Sequence, residues 1–419
     1  MITRPRGTLD GELLTGCLRE QLGNVGRLAR LQAYYRGHQS IQNRERSAGL
    51  PNIRLSHAYP RYISTMASGY LIGNPVHYES EDQQEALSAV LRAYAACDVD
   101  SVDAELARSA SVCGKGVELL YGNEAAQPRT ACVDVRHAFV VYDDSVEHRA
   151  LLGMTDMPLR AGNGRFAGYK VQVFTDTQVL SYHLSSLQDA IPDTPDHIEP
   201  HFFGCVPLIE YWNDEDERGD FEDVISLIDA YNLLQSDRMN DKQQFVDALL
   251  VLYGCALEAD ERGRAPGQQL REDKVLSLPD SDARAEWLCK QLSEADAEIL
   301  REAIREDIHK MSMVPDLTDA QFAGNASGVA MKYKLLGLEQ LTKIKERWFR
   351  EGLRTRLRGF SNYLAFRGEK RLDADNVCMV FSRSLPVNEP EDAQTLQALK
   401  DILPRSELQR RAMCMAGMS

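Results

Sequence analysis

Residues 224–244 read VISLIDAYNLLQSDRMNDKQQ, and this stretch changes character at its middle. Its first half has apolar residues at helical spacing from Val224 to Leu234 and predicts a helix with one buried face. Its second half, residues 235–244, is polar on every side except at Met239. A helix that is polar all round does not pack against the core of its own monomer. We therefore expect this half to be solvated or to bridge between subunits.

A second helix is predicted downstream, and a loop follows it. Residues 291–312 have helical apolar spacing, and residues 313–327 read MVPDLTDAQFAGNAS. Residues 328–366 then predict one long helix, in which interrupting glycines indicate a kink. A long loop rich in Gly, Asp and Asn between two helices is uncommon unless it is functional. The loop is therefore the first candidate for a functional site.

Outside this region the pattern favours a mixed α+β chain. Helices are predicted before residue 113, and short apolar runs separated by turn residues predict strands over residues 117–203. Residues 213–223 hold seven acidic residues and a single arginine. Residues 377–381 predict a further strand, and residues 391–415 predict a final helix.

Composition excludes several classes of protein. The chain of 419 residues has a formal net charge of −15, and 43% of its residues are hydrophobic, as is typical of a folded protein. Its length predicts two or three packing units. The longest nearly apolar run, residues 245–257, is shorter than the roughly 20 residues that span a bilayer, and the N-terminus has no apolar signal core. We therefore expect neither a membrane protein nor an exported one. Nine scattered cysteines without a C-x-x-C pair indicate reduced thiols.

The sequence offers no catalytic motif. It has no P-loop, H-E-x-x-H or G-x-S-x-G pattern, and its nine histidines are spread singly. We expect no enzyme activity, no cofactor and no metal. Two alternatives remain: a metal-dependent nuclease built on Asp134, Asp143 and Asp144, and a monomeric nucleic-acid-binding protein that uses the basic helix over residues 332–358. The acidic net charge argues against a simple duplex-binding module, which would present a basic face.

Five segments, taken in chain order, resemble the portal (connector) protein family of tailed bacteriophages, in the branch typical of phages with long non-contractile tails. The first is YYRGH at 34–38 with PNIRLS at 51–56, and the second is GYLIGNPV at 69–76. The third is DFEDVISLIDAYN at 220–232, continued at 236–237 and 245–248. The fourth is VPDLTD at 314–319 with SGVA at 327–330 and KYK at 332–334, and the fifth is LPVNE at 385–389. Each match is weak alone, and together they extend over most of the chain.

The resemblance implies a portal fold of class α+β that assembles as a cyclic ring. Its parts would be an α/β wing at 1–225 with a return strand at 377–390, two stem helices at 226–250 and 291–312, a small clip at 251–290, a tunnel loop at 313–327, a long kinked tunnel helix at 328–366 and a short helical crown at 391–419.

The resemblance also implies a function and partners. A ring of twelve copies would form the channel at one capsid vertex through which double-stranded DNA is packaged by the terminase large subunit and later ejected. Head-completion or adaptor proteins and tail proteins would dock on it, beside major capsid and scaffolding proteins. The protein would assemble in the host bacterial cytoplasm and end in the virion, with no membrane, and it would hydrolyse nothing itself.

Site residues follow from the same resemblance. The side chains expected to face DNA from the tunnel loop are Asp316, Thr318, Asp319, Gln321 and Asn325. The side chains expected to contact phosphate or a neighbouring subunit are Lys332, Lys334, Lys343 and Lys345. The acidic total suits a conduit that must not bind its cargo, because a strongly basic tunnel would hold duplex DNA by counterion release. The basic helix should therefore face acidic neighbours or touch phosphates locally, and the sequence does not choose between these.

Overall fold

The computed structural model describes residues 1–47, 50–244, 249–253, 284–288, 294–317 and 333–383, together with residue 397. The α-helices of these residues are α1 (Gly11–Tyr35), α2 (Tyr59–Ile72), α3 (Gln84–Ala95), α4 (Val99–Cys113), α5 (Ile225–Gln244), α6 (Glu294–Ser312) and α7 (Leu336–Phe366). The 3-10 helices are Ser40–Asn43, Glu222–Val224 and Ala374–Asn376. None of the helices in these ranges is long and apolar enough to cross a membrane.

The strands in the described part of the chain form four sheets. They are β1 (Ile2–Arg4), β2 (His77–Glu79), β3 (Lys115–Gly122), β4 (Pro128–Val133), β5 (Ala138–Asp143), β6 (Ala150–Arg160), β7 (Phe166–Phe174), β8 (Gln178–Leu184), β9 (His197–Pro200), β10 (Leu208–Trp212), β11 (Leu249–Tyr253), β12 (Arg284–Leu288) and β13 (Cys378–Val380). The largest sheet has the order β1-β5-β6-β7-β8-β9, and a second has the order β10-β3-β4. Two small sheets pair β11 with β12 and β13 with β2.

The strand pairing follows from the sequence pattern. Strands β5 to β9 pair antiparallel in chain order, as short strands joined by turns predict, and β1 adds in parallel with Ile2 opposite Val141. The mixed α+β class is therefore confirmed. The predicted strand at 377–381 is also present as β13, which pairs with β2 so that Met379 lies opposite Tyr78.

Contacts divide the chain into two units. The first contains residues 1–38, 58–225 and the chain from residue 308 onward, and the second contains residues 39–57 and 226–307. Two hydrophobic clusters of described residues lie in the first unit. One joins α1 to the large sheet through Leu14, Cys17, Leu18, Phe139, Val141 and Leu152. The other joins α3, α4, β3, β10 and α7 through Val90, Leu106, Leu120, Tyr211, Leu353 and Phe360.

Two glycines of α7 mark places where the helix lies close to strands. A Cβ added at Gly352 would come within 2.4 Å of the Tyr211 ring, and one at Gly359 would come within 2.7 Å of Leu120. Their lack of a side chain lets α7 approach β10 and β3. The helix is continuous from Leu336 to Phe366, so the structural reason for these glycines is close packing, and the predicted kink stays a prediction.

The second unit contains a ladder of polar side chains on α5. Asn232, Ser236 and Asn240 are fully buried. Oδ1 of Asn240 accepts a hydrogen bond from the Ile53 N–H at 2.6 Å, and its Nδ2 donates to the Ile53 carbonyl at 3.1 Å. One turn earlier in α5, Ser236 Oγ accepts a hydrogen bond from the backbone N–H of Leu55 at 2.9 Å.

The last rung of the ladder has the same form. Asn232 Oδ1 accepts from the His57 N–H at 2.9 Å. Residues 50–57, here called the strap, bond to α5 at every second residue from Ile53 to His57. Four residues of helix rise about 6 Å and two residues of extended chain about 6.6 Å, so the two spacings match over three rungs.

The ladder corrects one expectation. The polar half of α5 was expected to be solvated or to bridge between subunits, because a helix polar all round has no apolar face to bury. Here Ser236 and Asn240 are buried against a backbone segment of the same chain. A neighbouring backbone with free N–H and C=O groups satisfies polar side chains as water would.

A serine substitution tests the ladder. Ser236→Ala should lower the free energy of unfolding by about 1–3 kcal/mol, because the Leu55 N–H loses its acceptor in a buried place. Ser88→Ala is the matched control. Both hydroxyls donate to the carbonyl four residues earlier, at 2.6 and 2.7 Å, but Ser88 is exposed. Urea unfolding followed by circular dichroism measures both, and equal losses would contradict the ladder.

A buried arginine fixes the middle of α7. Arg356 is fully buried, with Nη2 2.6 Å from Asp103 Oδ1 of α4 and Nε 2.7 Å from Glu118 Oε1 of β3. The Tyr211 hydroxyl donates to the other oxygen of Glu118 at 2.6 Å. Burial raises the pKa of Asp103 to about 6, although Arg356 acts in the opposite direction.

Removing that cation should destabilise the first unit in a pH-dependent way. Arg356→Met should lower the free energy of unfolding by about 3–5 kcal/mol at pH 8, because two buried carboxylates lose their positive partner. The raised pKa of Asp103 means that folding takes up a proton between about pH 4 and 6, so this carboxyl favours unfolding more as the pH rises. At pH 5.5 Asp103 can be neutralised by protonation when Arg356 is absent, so the variant should lose less free energy of unfolding there than at pH 8.

The control is Arg358→Met on the same helix. Its side chain is half-exposed and lies 3.3 Å from Asp375, so its loss should cost below about 1 kcal/mol at either pH. Urea unfolding followed by tryptophan fluorescence reports mainly on this unit, because two of the three tryptophans, Trp212 and Trp348, lie in it with ring centroids 5.2 Å apart. Similar losses for both variants would refute the role of Arg356.

Candidate functional site

The candidate loop begins where α6 ends, and the described part of it is residues 313–317. Met313 has a φ of +57°, a left-handed conformation that ends the helix after Ser312. Val314 is fully buried, and Pro315 cannot continue a helix because it has no N–H to donate. We call residues 314–317 the root of the loop.

Two side chains hold the root. The Tyr62 hydroxyl, from α2, donates to the Pro315 carbonyl at 2.7 Å and accepts from the Leu317 N–H at 3.2 Å. His309 Nδ1, in the last turn of α6, lies 2.9 Å from the Val314 carbonyl. Because a carbonyl only accepts, Nδ1 carries the proton. Burial raises the pKa of Tyr62, so its phenol stays protonated and able to donate.

Aromatic packing keeps the imidazole in place. The His309 ring meets Tyr59 and Tyr62 edge to face, with both pairs of centroids 5.8 Å apart. Nε2 of His309 faces Asp316 Oδ2 at 3.8 Å, and the Asp316 side chain is one-fifth exposed. The predicted DNA-facing residue Asp316 therefore lies beside His309 at the root. The other predicted residues of this set, Thr318, Asp319, Gln321 and Asn325, lie outside the described residues, as does Lys332.

The predicted basic contacts on α7 divide into different environments. Lys345 is buried, and its Nζ donates to Asp220 Oδ2 in the acidic segment. A buried ammonium with a carboxylate partner does not reach a phosphate, so we remove Lys345 from the candidate contacts. Lys343 is exposed, with Nζ 3.7 Å from Glu339 Oε1, and Lys334 is half-buried.

Other cations of α7 also face acids of the same chain. Arg350 Nη2 lies 2.7 Å from Glu346 Oε1, and Arg358 lies 3.3 Å from Asp375. The sequence left open whether the basic helix faces acidic neighbours or touches phosphates. For Arg350 and Arg358, the partners in the structure are acidic side chains of the same chain. Arg347 lines a groove of about 700 Å³ together with Asp214, Glu215, Asp216 and Ile344.

The acidic segment is itself tied into the first unit. Asp220 Oδ1 accepts from Asn213 Nδ2 at 2.8 Å, and its Oδ2 also accepts from Ser111 Oγ at 2.5 Å. Glu222 Oε2 accepts from Arg27 Nη2 at 2.5 Å. Glu217 Oε2 lies 3.2 Å from Lys115 Nζ of β3. At least three of the seven acids are therefore structural partners of cations on other elements.

The alternative nuclease site is not assembled. Asp143 is buried with Oδ2 2.7 Å from Arg6, and Asp134 Oδ2 lies 2.6 Å from Arg136. Burial alone would raise the pKa of Asp134, but hydrogen bonds from Arg136 bring it down to about 2. Asp144 is exposed. Among the residues that the structure describes, no three His, Cys, Asp or Glu side chains come together as a metal site would need.

The sequence predicted the end of α6 at residue 312, but it did not indicate the residues that hold the root. Tyr62 lies in a predicted helix and His309 in another, and 253 residues separate Tyr62 from its partner Pro315. No periodic pattern links positions so far apart. The one local signal is the spacing of Tyr59 and Tyr62, which puts two aromatic rings on the same face of α2.

Comparison with known proteins gives a consistent result. The chain is similar to the portal protein of Bacillus phage SPP1, with 25% identity over 360 residues that cover 82% of this chain and 69% of that protein. It is also similar to the portal protein of Clostridium phage phiCD119, with 21% identity over 388 residues, or 87% of this chain and 82% of that one.

A solved structure shares the fold. The neck of an empty GTA particle, computed with C6 symmetry, contains a chain that matches with a TM-score of 0.50 and 13% identity, covering 87% of this chain and 90% of that chain. The family described as "Phage portal protein, SPP1 Gp6-like" matches residues 16–413. With that match over nearly its whole length, the chain belongs to the phage portal protein family.

Proposed function

We propose that this portal protein forms a closed ring of twelve copies around a channel for double-stranded DNA at one capsid vertex. The terminase large subunit drives the genome inward through the ring, and the genome leaves by the same route. Head-completion or adaptor proteins and tail proteins dock on the ring, beside major capsid and scaffolding proteins. The ring assembles in the host cytoplasm and becomes part of the virion. The observation that carries the proposal is family membership over residues 16–413.

We assign the parts of the ring as follows. The wing is 1–225 with the return strand at 377–390, the clip is 251–290, the tunnel loop is 313–327, the long helix is 328–366 and the crown is 391–419. The stem helices are those predicted at 226–250 and 291–312, but the first is shorter than predicted, because α5 is described only to Gln244 and residues 249–250 already belong to β11. The pairing of β11 with β12 supports the clip, because it brings the two ends of that segment together with Leu249 opposite Leu288. Of the crown, only residue 397 is among the described residues.

Charge supports passage of DNA rather than capture. Duplex DNA carries a charge about every 1.7 Å, and a channel with many free cations would hold it. The chain has a net charge of −15, which a ring repeats in every copy. Lys345 and Arg356 are internal, and Arg350 and Arg358 lie beside Glu346 and Asp375, so much of the positive charge of α7 is not available to the phosphates of a nucleic acid. Portal proteins are structural, and we infer that this chain catalyses no reaction.

The mass of the assembly is the first test. The purified chain should have a mass of about twelve times 47.1 kDa and show a central hole in negative-stain class averages, as a closed cyclic assembly requires. Light scattering and microscopy measure both. A chain that stays monomeric even when co-expressed with its capsid partners, and that binds short duplexes with strong salt dependence, would contradict the ring.

The loop assignment has a separate test. Deletion of residues 320–325 should leave ring assembly intact and reduce the amount of DNA packaged, because a shortened loop no longer reaches the DNA. Packaged DNA is measured by nuclease protection. The control replaces the same six residues with Gly and Ser, which keeps the length of the loop. Normal packaging by intact rings of the deletion variant would mean that this loop is not the tunnel loop.

A further inference from the structure

We propose that Tyr62 is a positioning residue for the loop, which it holds at its root together with His309. The inference rests on the proposed function of residues 313–327, and it adds the residues that determine where the loop leaves the folded protein. Tyr62 lies on α2 and holds the loop at backbone atoms of the root through two hydrogen bonds, to the Pro315 carbonyl and from the Leu317 N–H.

The Tyr62 hydroxyl fixes two peptide groups with one side chain. It donates to the Pro315 carbonyl and accepts from the Leu317 N–H, so both of its hydrogen-bonding functions are used on either side of Asp316. These bonds restrict the dihedral angles of the residues between them. Ordering the backbone of one residue costs roughly 1–2 kcal/mol, so each fixed peptide removes conformations that a free loop would sample.

His309 holds the root from the other side. Its Nδ1–H donates to the Val314 carbonyl, one residue before Pro315. The buried side chain of Val314 adds an apolar anchor at the same point. Side chains from two different helices, α2 and α6, therefore bind the backbone of the root. We call Tyr62 and His309 together the clamp.

Helix α2, which carries Tyr62, is itself packed into the first unit. It packs against α4 and α7, and its buried residues include Pro60 and Ile63, which lie on either side of Tyr62 in the sequence. A group presented by a packed helix holds its position better than one on a loop. The position of the backbone at Leu317 is thus set by α2.

Tyr62→Phe tests the clamp, because it removes the hydroxyl and keeps the ring that packs on His309. Hydrogen exchange at the Leu317 amide should become about five- to tenfold faster, the loss expected for one hydrogen bond. Packaging of DNA by assembled rings should fall. Tyr121→Phe is the control, since that hydroxyl makes no hydrogen bond within the described part of the chain and the ring is exposed.

A second pair of variants separates positioning from folding. His309→Gln keeps a side-chain N–H that can donate to the Val314 carbonyl, whereas His309→Leu does not. Packaging should be largely retained by the first and reduced in the second, with rings of both variants assembled.

The outcomes distinguish the clamp from the function on which it rests. If the deletion of 320–325 leaves packaging normal, the proposed function of the loop fails, and Leu317 exchange alone then supports or refutes the clamp. If that deletion blocks packaging but Tyr62→Phe matches wild type in exchange or in packaging, Tyr62 does not position the loop.

Discussion

The long helix α7 is held by positive charges that lie inside the protein. Arg356 sits between Asp103 of α4 and Glu118 of β3, and Lys345 pairs with Asp220 of the acidic segment. A buried charge is stable only beside its partner, so these pairs admit one position of the helix relative to the elements that carry the acids. Because α7 follows the loop in sequence, the same pairs fix the helix to which the loop returns.

This arrangement explains how an acidic chain can contain a markedly basic helix. Counted along the sequence, the cations of 332–358 suggest a face that attracts phosphate. In the folded chain, Lys345 and Arg356 are internal, and Arg350 and Arg358 lie beside Glu346 and Asp375. Much of the positive charge therefore organises the protein, and its surface charge is closer to that of the chain as a whole.

Local patterns predicted the elements better than the contacts between them. Apolar periodicity and turn residues gave the helices and the antiparallel strands, because those depend on neighbours in sequence. The burial of Lys345 depends on Asp220, which is 125 residues away, and the clamp on the loop joins residues more than 250 apart. The end of α6 at Ser312 could be predicted from the local pattern, but the groups that hold the root could not.

The polar stripe on α5 shows the same limit. Asn232, Ser236 and Asn240 recur every fourth residue, and their partners in the strap recur every second residue, about 180 residues earlier. The spacing of four in α5 does not show which residues of the chain are its partners, and the spacing of two in the strap does not show it either. Two of the segments that resemble portal proteins, at 51–56 and 220–232, lie at these positions, so the resemblance had marked residues whose physical purpose the periodicities alone did not reveal.

The strap also has a consequence for recombination between related genes. The second unit is encoded by two separate stretches, 39–57 and 226–307, and neither satisfies its polar groups without the other. A recombination event that exchanged only the longer stretch would place Ser236 and Asn240 opposite a strap that had evolved with a different helix. Genetic exchange between related phages should therefore preserve both stretches from the same parent, although almost 170 codons lie between them.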